Sequence, residues 1–190
     1  MIATWACGLL AVLFGAAVVQ PAHAGEAGLV GTKTITLVSA GGDRVAIGSV
    51  DFVPEGDGAR LTVKVDSAEL KDEFLSMRPF RCLRDAKEWW CHLAYPYELT
   101  GRVTAADLTD LEYSLLFIGK GPNFFGIDAW NGLYFKLSMA ADGSIAGQVH
   151  ETDLNVLAVP PADRKARLIV PEALTAVEPG AHRFSRVEIK

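Results

Sequence analysis

Two cysteines, Cys82 and Cys91, stand with eight residues between them inside the most aromatic stretch of the chain, where Phe74, Phe80, Trp89, Trp90, Tyr95 and Tyr97 are gathered. This pair constrains the fold more than any other feature. Between the cysteines, Arg84-Asp85-Ala86-Lys87 has the composition of a hairpin tip, and the flanks Phe74 to Leu83 and Glu88 to Tyr95 read as extended. A bridge between Cys82 and Cys91 then ties two neighbouring antiparallel strands near their loop. Closing a loop of about ten residues contributes roughly 2 to 3 kcal/mol by restricting the unfolded chain. Redox-active dithiols typically read C-x-x-C, much closer than this pair, so the spacing points to a structural disulfide.

A structural disulfide requires an oxidising compartment, and the start of the chain predicts one. Met1 to Ala24 contains no Asp, Glu, Lys or Arg, is apolar from Leu9 to Val19, and ends Pro21-Ala22-His23-Ala24. That is the pattern of a cleavable secretory signal, although its basic start is missing. The apolar run falls short of the roughly 20 residues that span a bilayer. Cleavage after Ala24 removes Cys7 and leaves residues 25–190 as a single β domain with one disulfide. The expected location is periplasmic or secreted, with no membrane span once the signal is gone. The net charge of −5 disfavours nucleic acid or an anionic membrane as partner, since both attract basic surfaces.

The rest of the chain reads as strands and turns. Thr34 to Val38 and Val45 to Phe52 flank Gly41-Gly42-Asp43 as a hairpin. Pro54 to Gly58 is a turn, and Leu61 to Asp66 alternates apolar and polar residues as a half-exposed strand should. Ser67 to Asp72 could form a helical turn, and Thr104 to Asp107 resembles a weak capping box before a strand at Leu111 to Ile118. Phe124 to Trp130 leads into Asn131-Gly132, a strong hairpin signal. A second, Asp142-Gly143, joins Leu133 to Met139 with Ser144 to Glu151. A short helix is expected around Asp163 to Leu168, and a last strand at Arg183 to Ile189 closes or edges the sheet. The predicted class is all-β: a small antiparallel barrel or sandwich of about nine strands with one or two short helical turns.

Several runs carry a resemblance. Phe74 to Leu83, Trp90-Cys91-His92-Leu93-Ala94-Tyr95-Pro96-Tyr97 and Leu108 to Tyr113, continuing through Trp130-Asn131-Gly132 and Val159-Pro160-Pro161, are similar to a group of short exported proteins of Gram-negative bacteria. The resemblance spans the middle and last third of the mature chain. It implies an exported location and a shared fold, and it carries no activity or catalytic residue.

Candidate chemistry is sparse. His92, near Tyr95, Tyr97 and Glu98, could act as a general base or sit half-buried against a carbonyl or a tyrosine. His150, Glu151 and Asp153 are metal-capable, but His150 and Glu151 point to opposite faces of a strand. His92 and His182 are the other imidazoles after the signal, so no metal and no cofactor are expected. Asp51, Glu55 and Asp57 lack the spaced loop of a calcium hand. Asp110, Glu112 and Asp128 could supply a carboxylate pair only if the fold set their separation. Hydrolase, zincin and phosphate-loop signatures are missing from the sequence.

After Phe14, every aromatic residue except Phe52 and Phe184 lies between Phe74 and Phe135. These rings build a core, or they line a mouth or groove for an apolar or sugar-like ligand. The expected function is therefore a non-catalytic periplasmic β domain binding a small molecule or an envelope partner. Trp90, His92, Tyr95, Tyr97, Asp128 and Trp130 are its candidate ligand-binding residues. The alternative is an envelope-directed hydrolase using His92 with a nearby carboxylate.

Overall fold

A computed structural model describes residues 28–163 and 166–190. The expected signal, residues 1–24, lies outside the described residues, as do Arg164 and Lys165 of the expected helix around Asp163 to Leu168.

The strands are β1 (Gly31–Val38), β2 (Arg44–Glu55), β3 (Gly58–Lys64), β4 (Leu70–Leu75), β5 (Arg78–Leu83), β6 (Trp89–Leu93), β7 (Arg102–Thr104), β8 (Leu116–Lys120), β9 (Gly132–Met139), β10 (Ile145–Thr152), β11 (Thr175–Ala176) and β12 (Arg186–Ile189). One α-helix, α1 (Thr109–Tyr113), precedes β8. All the pairings are antiparallel, in the order β4-β5-β6-β8-β9-β10-β12-β1-β2-β3-β7, with β11 attached to β10. The fold is all-β, but it is one unclosed sheet of twelve strands, which corrects the nine-stranded barrel or sandwich read from the sequence.

Three local decisions account for the difference. Phe74 to Leu83, read as one strand, is cut in two by a tight turn at Ser76 and Met77, whose φ angles are 48° and 64°. A two-residue turn of that hand normally selects Asn or Gly, so no residue here signals it. Leu111 to Ile118, read as one strand, begins instead inside α1 and becomes β8 only at Leu116; a short apolar run fits period two and an i, i+4 pair alike. The chain takes the second option as far as Tyr113, burying Leu111 and Leu115 together in the core. Asn131-Gly132 is no hairpin. Asn131 ends a 3-10 turn, and Gly132 heads β9 where a Cβ would come within 2.4 Å of Thr152 O and of the Leu154 side chain. That glycine serves close approach rather than a positive φ. The Asp142-Gly143 turn does join β9 to β10, with Gly143 at φ 78°.

The last strand, expected to close or edge the sheet, lies inside it and joins two arms. β12 pairs with β10 on one side and β1 on the other, so Ile189 faces both Ile145 and Ile35, and all three are fully buried. The open edges are β4 and β7. Just past the end of β3, Val65 O and Asp66 accept from Arg81 of β5, at 2.8 Å and 2.7 Å.

Strand alternation sorts the centre of the sheet into two faces. Trp90, Phe117, Leu133 and Phe135 enter the main core with Ile35, Val187 and Phe184. Leu116, Ile118 and Tyr134 face the other way, under a cover that includes Leu154, Leu157 and Ile169. β8 is consequently buried along its whole length. The Cys82–Cys91 disulfide joins directly opposed residues of β5 and β6, with Leu75, Phe80, Trp89 and Ile127 packed about it.

Candidate functional site

The six ligand-binding candidates do not converge. Trp90 is fully buried, its ring centroid 5.2 Å from that of Phe184 and 5.7 Å from that of Phe117, so it has no surface to offer a ligand. His92 lies on the same face of β6, with Nε2 3.1 Å from Ser114 O. Burial holds its imidazole below the ordinary range; the Ser114 carbonyl opposes this and the Arg81 charge reinforces it. The ring lines a side cavity of about 370 Å³ with Leu61, Val63, Tyr95 and Asp110. Tyr95 packs on Tyr113 and Tyr97, and burial pushes its hydroxyl up to about 12. Asp128 accepts from Trp130 N at 3.0 Å and so caps a 3-10 turn. Trp130 is exposed at the wall of a different cleft.

The three carboxylates that could have formed a glycosidase pair are likewise dispersed. Asp110 accepts from Thr100 Oγ1 and Gly101 N, both at 2.7 Å. Glu112 is 1% exposed, accepts from Leu137 N at 2.8 Å and from Lys136 Nζ at 3.1 Å, and is bonded to the Tyr134 hydroxyl. β8 pairs with β9 only at Phe117↔Leu133 and Ile118↔Gly132. Farther along β9, Glu112 on α1 takes the place of a strand for Leu137 N. Burial, then the Glu112 bond, raises the Tyr134 hydroxyl well above the usual tyrosine range. This carboxylate braces α1 against β9 and meets no open surface.

Two concavities stand out. The first, about 610 Å³, is polar and is lined by Glu88, Lys120, Trp130, Glu151, His182 and Arg183 among others. His182 bridges two carboxylates: Nδ1 lies 2.7 Å from Glu88 and Nε2 lies 3.0 Å from Glu151. The other Glu88 oxygen accepts from Trp90 Nε1 at 2.7 Å and from Arg183 N at 2.9 Å. Gly119 makes room for this carboxylate, since a Cβ there would sit 2.8 Å from it. Hydrogen bonding to Glu88 raises the His182 pKa against the cost of burial, with Glu151 adding to the rise. Burial would raise the Glu88 carboxyl, but its bonds to His182, Arg183 and Trp90 outweigh that and hold it low. When protonated, an imidazole with both nitrogens on carboxylates donates to each and has no lone pair with which to act as a base. Lys120, buried over the Trp89 ring at 4.2 Å, has its pKa lowered by burial, with Glu73 opposing.

The second concavity is an apolar groove of about 630 Å³ on the disulfide face. Phe80, Leu93 and Ile118 lie on its strands, and Tyr97, Ile127, Leu154 and Leu157 come from the covering segments. Tyr97 directs its hydroxyl to Leu157 O at 2.6 Å, presenting its ring to the groove. At the rim are Ser76, Arg78 and Asn155. Of the sequence candidates only Tyr97 lines it. Phe80, Leu93 and Ile127 escaped notice because nothing in their local pattern separates a groove wall from a core.

Glu88, Glu151 and His182 were equally hard to foresee as a group, since 94 positions separate Glu88 from His182. The opposite facing of His150 and Glu151 is visible: Glu151 reaches His182, whereas His150 Nδ1 lies 3.2 Å from Gln148 O. Among the described residues no group of three or more His, Cys, Asp or Glu is arranged to hold a metal ion, and no helix is long and apolar enough to cross a membrane.

No family model matches the chain, and neither curated proteins nor solved structures provide a match. The resemblance to exported Gram-negative proteins therefore rests on the residues quoted for it.

Proposed function

We propose that this protein is an exported, non-catalytic binding domain that takes a small, largely apolar ligand in the groove between the disulfide face and the segment 154–160. The observation that carries this reading is the groove itself. Its volume of about 630 Å³ lies within the roughly 300 to 1,000 Å³ usual for small-molecule sites, which are mostly apolar with a few placed polar groups. The polar cleft supports binding less well, because Glu88, His182 and Glu151 in its wall already pair with one another.

Native mass spectrometry of protein recovered from its own cellular compartment tests the reading. A retained adduct of a few hundred daltons is expected. Ala158→Trp, at an exposed position lining the groove, should abolish the adduct with the fold intact. A bare mass from the wild-type chain counts against the proposal.

A second reading is favoured by one observation: His92 and Asp110 line the same side cavity. A hydrolase built there would lose its cellular phenotype on His92→Gln without a change in melting curve. Survival of the phenotype removes that reading.

A further inference from the structure

The charges around the apolar groove narrow its ligand. Among the side chains lining it, Arg78 carries a formal charge, the Tyr97 phenol is the other ionisable group, and no carboxylate is present. Arg78 is exposed at the rim and, among the described residues, has no ion-pair partner, unlike Arg81 and Arg84 along the same segment. A guanidinium held beside an apolar trough, with no acidic neighbour in the lining, is complementary to a molecule with one anionic head and an apolar tail. Ser76 adds a second polar contact, since its Oγ accepts from Ile127 N at 2.9 Å and its own proton is free to be donated.

The turn that presents Arg78 is independently unusual. Ser76 and Met77 both hold positive φ without being glycine, a conformation that costs free energy and is often retained for function. Its effect here is to project Met77 into solvent, 84% exposed. The Ser76–Ile127 bond ties this turn to the loop after β8, where Phe124 and Phe125 are 55% and 92% exposed. Exposed large apolar side chains therefore stand on the two loops that supply the lining residues Ser76, Arg78 and Ile127, a form suited to meeting a source of apolar ligand.

We infer that the groove binds a long-chain anionic amphiphile, its chain along Phe80, Leu93, Ile118 and Leu157 and its head group on Arg78. This inference rests on the groove being a ligand site and adds the chemical class of the ligand. The same chemistry is met in a free fatty acid and in a fatty acid dissolved in a bilayer.

The test uses the fluorescent cis-parinaric acid and its neutral methyl ester with the mature, disulfide-bonded chain. The acid should bind about ten- to a hundredfold more tightly than the ester, the range of one charge-assisted contact. Arg78→Ala should erase that difference, Arg78→Lys should restore part of it, and Ala158→Trp should abolish binding of both probes. Equal binding of acid and ester to the wild-type chain overturns the anionic-head assignment while leaving the groove as a site. Failure of both probes to bind, in a chain whose circular dichroism shows the β fold, overturns the groove reading and this inference with it. Presenting the acid in phosphatidylcholine vesicles separates the sources. Met77→Ser combined with Phe125→Ser should slow transfer about tenfold with unchanged affinity for free acid if the bilayer is the source. Equal transfer rates assign the dissolved acid instead and overturn a role for the apolar rim.

Discussion

The polar cleft and the apolar groove have nearly the same volume, about 610 and 630 Å³, yet they differ in what their walls leave unsatisfied. In the cleft, the Glu88 carboxylate meets His182, Trp90 Nε1 and Arg183 N, and His182 reaches on to Glu151. In the groove, apolar side chains face open space and Arg78 has no ionic partner among the described residues. A concavity of a given size can thus be a clasp or a socket. The pairing of its polar groups decides which, because buried or half-buried polar atoms that satisfy one another have little left to offer a ligand.

The comparison can be broken at several points. The largest effect is expected from Glu88→Ala. It strands the Trp90 indole N–H and the Arg183 amide at once and leaves His182 with Glu151 alone, and losing one partner of a largely buried ionic group costs about 3 to 5 kcal/mol. Denaturant unfolding would show this, and binding in the groove should persist in the folded fraction. Stability loss below about 1 kcal/mol would mean the cleft is less tightly clasped than its hydrogen bonds indicate.

Next is the disulfide, which lies on the groove side of the sheet. Cys82→Ser with Cys91→Ser should cost about 2 to 3 kcal/mol by the loop-entropy argument. Unlike Glu88→Ala, it should also weaken ligand binding, because Phe80 and Ile127 pack against both the bridge and the groove.

A smaller effect is expected with pH and separates the cleft from the groove. The folded-state pKa of His182 is raised above its ordinary 6.5, so its contribution to stability is complete below 6.5 and is lost as pH rises through the folded-state value. The Glu88 pKa is lowered from 4.5, so its contribution is complete above 4.5 and is lost as pH falls through its own folded-state value. The clasp is therefore strongest between the two ordinary values, and melting temperature should decline on the alkaline side. His182→Gln should flatten that decline; an unchanged profile would place the pH dependence elsewhere.

The smallest stability effect is expected from Arg78→Ala. An exposed side chain without an ionic partner should change stability by no more than about 0.5 kcal/mol. The groove differs from the cleft in this respect: the residue assigned to its ligand is not one that the fold needs.

Much of the architecture could be read from residue order because it depends on neighbours in the chain. The disulfide pair and the Asp142-Gly143 turn are local patterns, with β3 following from alternation and β9 and β10 from the turn between them. Adjacent residues of a strand face opposite ways, and accordingly Trp89 packs against the disulfide while Trp90 fills the main core. The turn at Ser76-Met77 was illegible because its residues contradict the usual preference for positive φ. The Asn131-Gly132 signal misled because the glycine is required by Thr152 and Leu154, twenty and twenty-two positions away.

By itself the sequence determined that the chain is a β protein with one structural bridge and a ring-rich centre. Period-two alternation, turn residues and paired cysteines act over short distances along the backbone. Only the tertiary structure decided that β12 lies between β10 and β1, that Glu88 meets His182, and that Arg78 stands at the rim of an apolar groove. Those arrangements join residues far apart in the chain, and their free energy comes from burial and pairing that exist once the sheet has formed.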